Sequence, residues 1–128
     1  MSVKKKTNSD YELHFLEGVV ARAPDFVQAL MALGDIYTKK DMHEKSLAVD
    51  KRLAKLRPTN PFILYNLACS YSLVNDLDQA FVYLQKAILY GYDNFYHMFT
   101  DQDLANLHKD SRFQQYLSRM NAKEKSPN

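Results

Sequence analysis

At 128 residues, with 46% hydrophobic and 25% charged, the chain has the composition of an ordinary folded domain and the length for one. Its net charge of +2 comes from interspersed signs, which gives no field of the kind that gathers nucleic acid or an anionic membrane surface. The lone cysteine, Cys69, excludes an internal disulfide and a multi-thiolate metal cluster and fits a reducing, cytoplasmic setting; no apolar run follows Lys4, Lys5 and Lys6, and none is long enough to span a bilayer.

Residues 1–8 are basic and aperiodic, the composition of a disordered leader. Ser9 and Glu12 have capping-box spacing, and Leu13, Leu16, Val19 and Val20 recur at helical steps, which predicts a lone helix over roughly 10–22. From Asp25 onward, Leu30, Leu33, Gly34 and Tyr37 share one helix face. Gly34 is a costly choice there, by about 1 kcal/mol against Ala, unless something needs the space. A turn at Lys40-Asp41 leads into a second helix, about 42–56, with Asp41 and Glu44 at box spacing. Lys45, Lys51, Arg52, Lys55 and Arg57 read as its solvated side, with Leu47, Leu53 and Leu56 opposite. Asp50 falls near the packed side: either it sits at the rim, or it is buried against a partner such as Arg22 or a lysine.

Thr59-Asn60-Pro61 signals a helix start, a capping side chain followed by proline in the first turn. The helix that follows carries Leu64, Leu67, Ala68 and Tyr71. Asn75-Asp76 opens the next, with Leu77, Ala80, Phe81, Leu84, Ala87 and Ile88 at three- and four-residue steps, and Gly91 ends it. Beyond Tyr92 come a short apolar segment, Phe95 to Phe99, then Asp101 before Leu104 and Leu107, and Asp110 before Phe113, Tyr116 and Leu117. Residues 121–128 are polar and read as a disordered tail.

Shifting the chain over itself by one fixed period lays Leu30 on Leu64, Leu33 on Leu67, Gly34 on Ala68, Tyr37 on Tyr71, Ser46 on Ala80, Leu47 on Phe81, Leu53 on Ala87 and Pro24 on Pro58. These residues resemble the tetratricopeptide repeat, with Leu in place of its usual Trp, Asp50 at a usually apolar position, and Tyr92 where a third closing Pro would fall. The resemblance implies an all-α fold, an α-α superhelix over 9–120: a half repeat at 9–24, full repeats at 25–58 and 59–92, and a cap at 93–120. The cap resembles the ending of bacterial members of the family, through Asp101, Leu104, Leu107, Asp110, Phe113 and, one step late, Leu117.

The sequence contains no phosphate loop and no His-Glu-x-x-His motif, its four histidines lie in four segments, and nothing around Cys69 would activate a thiol. This predicts no catalysis, no metal and no cofactor. What remains is a second stripe on each first helix, about 130° from the stacking stripe: Phe62, Tyr65, Cys69 and Ser72 with Asn66 at the edge, and Gln28, Met31, Ala32, Asp35 and Thr38 one repeat earlier. By resemblance this stripe faces the concave groove, where Met31, Phe62 and Tyr65 would anchor a partner's peptide or helix and Gln28 and Asn66 would bind its backbone. Alternatively, the chain's own lone helix or cap covers Phe62 and Tyr65, or another copy of the chain fills the groove in a homo-oligomer. The family's carboxylate clamp is not expected, because Met31 and Asp35 stand at its phases and only Asn66 agrees.

Overall fold

The computed structural model describes residues 7–125, with side chains as far as residue 120. Among them every regular element is helical. The expected leader lies outside the described residues up to residue 6, while Thr7 and Asn8 cap and open the first helix; of the expected 121–128 tail, residues 121–125 are helical and the rest lies outside the described residues. By its contacts the chain divides into two compact units, Met1–Pro58 and Thr59–Asn128. The boundary is the step that ends one repeat and begins the next.

The first unit holds α1 (Asn8–Arg22), α2 (Val27–Lys39) and α3 (His43–Leu56), with α2 packed against both others. The N-cap of α1 is Thr7, two residues before the expected Ser9, because Thr7 and Asp10 have the same spacing. The Thr7 side chain accepts from the Asp10 amide at 3.2 Å, and the Asp10 carboxylate accepts from the Thr7 amide at 2.9 Å. On α1's inner side Glu17 accepts from the Tyr37 hydroxyl at 2.6 Å and Asp10 pairs with Lys40 at 2.6 Å. Lys40 and the cap hold the Asp10 carboxyl well below the usual carboxylate range.

The expected Asp41/Glu44 box does not form. Asp41 adopts a left-handed backbone, φ 58°, so that its amide reaches Thr38 O at 3.1 Å and the Met42 amide reaches Tyr37 O at 2.8 Å. That closure finishes α2 and leaves Met42 as the N-cap of α3, without a side-chain cap bond. A Cβ on Gly34 would lie 3.3 Å from Val49 Cγ1 and 3.4 Å from Asp50 Oδ1, which is the close crossing the glycine implied. Asp50 is buried on that face rather than placed at the rim, in a unit whose core holds Leu30, Leu33, Leu47 and Leu53.

The second unit opens with α4 (Pro61–Leu73) and α5 (Leu77–Leu89). Asn60 Oδ1 accepts from the amides of Phe62 at 3.0 Å and Ile63 at 3.2 Å, and Asp76 accepts from the Gln79 amide at 3.3 Å, so both expected starts are present. Asn75 repeats the Asp41 turn at the same place in its own repeat, φ 63°, with the same two closing bonds. Gly91, φ 112°, closes α5 in that way too, where a side chain would be strained.

After Gly91 come α6 (Phe95–Thr100), a 3-10 helix (Gln102–Leu104), α7 (Ala105–His108) and α8 (Ser111–Lys125). The 3-10 helix packs on α4, and α7 on both α4 and α5. Met98, Leu104, Leu107 and Phe113 are almost fully buried. Each contributes roughly 1.5–3 kcal/mol of apolar burial that this part of the chain lacks without them. α8 is fixed to α5 by the Arg112 to Asp78 pair at 2.6 Å and by an edge-on contact of Phe81 with Tyr116, ring centres 5.6 Å apart.

Candidate functional site

On α2 the residues left over after packing form one outward stripe. Leu30, Leu33, Gly34 and Tyr37 are buried, so Gln28, Met31 and Asp35 face out together, with Met31 46% exposed. Asp35 pairs with Lys39 one turn on at 3.0 Å, an exposed link of the kind worth little in water. Thr38 does not join the stripe. It is half-buried, and its hydroxyl donates to Gly34 O at 3.0 Å and lies 2.7 Å from the Ser46 hydroxyl.

On α4 the expected stripe splits. Phe62 is 65% exposed and Asn66 is exposed. Tyr65, Cys69 and Ser72 are buried and line no open groove, because the chain from Tyr92 onward folds back over them. The Tyr65 ring stacks flat on Tyr92 at 4.2 Å, its hydroxyl donates to Asp101 Oδ2 at 2.7 Å, and the Cys69 thiol points at the same oxygen from 3.7 Å. The Ser72 hydroxyl accepts from the Leu107 amide at 3.3 Å, and its carbonyl accepts from Asn106 Nδ2 at 3.0 Å. Phe62 stays at the margin, edge-on to Tyr92 with ring centres 6.1 Å apart.

Asp101 has a larger part than its place in the sequence suggests. Besides Tyr65 and Cys69, it accepts from the Asp103 amide at 3.0 Å, capping the 3-10 helix, and lies 3.1 Å from His97 Nε2. Its spacing before Leu104 and Leu107 is visible as a cap. The phase of Tyr65 and Cys69, one turn apart on α4 and both bearing donors, is the signal that the same carboxylate is shared.

The chemistry of this cluster is structural. Burial first, then the nearby Asp101 charge, push the Cys69 thiol up and away from thiolate formation. Burial, Cys69 and Asp101 likewise raise Tyr65. Among the described residues no group of three or more His, Cys, Asp or Glu side chains is placed to hold a metal ion, and no helix is long and apolar enough to cross a membrane.

The tetratricopeptide repeat family model matches residues 63–90, the helix pair α4 and α5 with its Asn75 turn. No curated protein matches the chain. The α2–α3 pair repeats the matched one in the same register, down to the left-handed residue of its turn. The described residues thus form helices alone and carry a helix pair of the tetratricopeptide-repeat type, a class whose repeats serve protein–protein interaction.

Proposed function

We propose that the chain is a non-catalytic cytoplasmic interaction module that takes up a peptide or helix of a protein partner on the first helices of its repeats. Gln28, Met31 and Asp35 on α2 form the principal face, and Phe62 and Asn66 on α4 a second. The observation carrying this reading is Met31. A large flexible apolar side chain stands 46% exposed between an amide and a carboxylate, on a helix whose other large apolar residues beyond its first turn are buried. Asp35 favours a segment that brings Lys or Arg to its end of the face, and disfavours nucleic acid and acidic peptides.

A photo-reactive residue at position 31 identifies the partner, and calorimetry then measures variants. Met31→Ala should lose about tenfold in affinity or more, and Asp35→Lys should invert the preference between basic and acidic peptides, both without a change in melting. Full affinity in both variants would refute the assignment.

A further inference from the structure

The first helix carries a face that the packing of the described residues leaves exposed. α1 faces the rest of its unit through Glu17, bonded to Tyr37, and Asp10, paired with Lys40, with Leu13 and Val20 half-buried on the same side, while Tyr11, Phe15, Gly18 and Arg22 lie together on the opposite side, within about 60° of helix arc. Phe15 is 68% exposed and Tyr11 62% exposed. Phe15 has the repeat phase of Val49, which is buried against Gly34, and of Tyr83, which stacks on Tyr71 at 5.6 Å. At the other two copies of this phase the side chain is packed against a first helix of its own repeat.

Gly18 sharpens the point. A glycine inside a helix weakens it, and Gly34 is explained by Val49 and Asp50 lying against it. A Cβ at Gly18 would meet nothing within 4 Å. No close approach among the described residues requires that notch.

The geometry points to a second copy of this chain as the occupant, bound α1 against α1 in antiparallel about a two-fold axis. The stripe is palindromic in spacing: steps of four, three and four separate Tyr11, Phe15, Gly18 and Arg22. With the axis crossing between residues 16 and 17, each Phe15 ring falls over the other copy's Gly18 notch. The flanking charges agree, since Glu12 lies toward one end of the face and Arg22 toward the other, so antiparallel pairing brings opposite signs together twice. One helix face from each copy makes an interface at the low end for specific association, so the dimer should form at micromolar concentrations and above.

Sedimentation equilibrium of the full chain from about 1 to 200 µM should pass from one-chain to two-chain mass. Phe15→Glu should weaken the dimer more than about a hundredfold while circular dichroism stays helical, since the ring is exposed within the monomer. Gly18→Leu should also leave a monomer of undiminished helicity. Glu12→Arg and Arg22→Glu should each weaken self-association about tenfold, and the two variants mixed should recover two-chain mass, because each supplies the sign the other lacks. A wild-type chain that stays at one-chain mass throughout would overturn the proposal, and so would a dimer indifferent to Phe15→Glu. Failure of the mixed charge variants to associate would overturn the antiparallel pairing.

Discussion

Asp101→Ala tests how the end of the chain is held to α4. The carboxylate is only 12% exposed and receives the Tyr65 hydroxyl at 2.7 Å, the Asp103 amide at 3.0 Å and His97 Nε2 at 3.1 Å. Its removal strands a buried phenolic hydroxyl that had been bonded to a charged acceptor, a loss of roughly 1.5–3 kcal/mol. It also removes the cap of the 3-10 helix, about 1 kcal/mol more. The total is about 3 kcal/mol. With a urea slope of about 1.5 kcal/mol/M the unfolding midpoint should fall by about 2 M. Asp101→Asn keeps an acceptor for Tyr65 and for the cap but surrenders the charge, and should lose only about 1 kcal/mol. Urea titration followed by circular dichroism and tyrosine fluorescence measures both. An Asp101→Ala midpoint equal to wild type would refute the reasoning, as would equal damage from Ala and Asn.

Truncation after Tyr92 should expose Tyr65, Leu84 and their neighbours at about 25 cal/mol per Å², lower stability by several kcal/mol and promote aggregation; an unchanged melting temperature would contradict the covering role. Gly34→Leu should cost about 1–3 kcal/mol by overpacking. Gly34→Ala should stay within about 1 kcal/mol of wild type, since helix propensity offsets a Cβ placed 3.3 Å from Val49, and thermal melts of the pair distinguish a packing role from a backbone one. Burial and Glu17 push Tyr37 up from 10.0 to about 12, so the fold favours the protonated phenol. That contribution is complete below pH 10 and lost as pH rises toward 12, and Tyr37→Phe should flatten this part of the stability profile measured by denaturant titration.

The helix pairs are legible because their evidence is local and repeated. Leu30, Leu33, Gly34 and Tyr37 announce themselves again as Leu64, Leu67, Ala68 and Tyr71, and Asn60 and Asp76 cap by side chains within three residues. The turn at Asp41 is ambiguous because Asp suits both an N-cap and a left-handed position, and the closing bonds to Tyr37 and Thr38 decide between them only once α2 is formed. Burial of Tyr65, Cys69 and Ser72 depends on where residues 92–107 return, a segment without period. The pattern of residues carries the existence of a cap and leaves open whether it covers Phe62 and Tyr65. The return of Tyr92 and Asp101 selects Tyr65 and leaves Phe62 outside. The α2 stripe needs no such knowledge, since Gln28, Met31 and Asp35 are what remains when the packed residues of that helix are subtracted.

Met31 is exposed on α2, whereas Tyr65 is committed to the chain's own fold. The most direct measurement is therefore paired, affinity for the cross-linked partner beside melting temperature, for Met31→Ala and Tyr65→Ala in the full chain. The account predicts that Met31→Ala loses about tenfold or more in affinity at wild-type melting, and that Tyr65→Ala melts well below wild type. A Tyr65→Ala chain that melts like wild type and fails to bind, beside a Met31→Ala chain that binds normally, would contradict it.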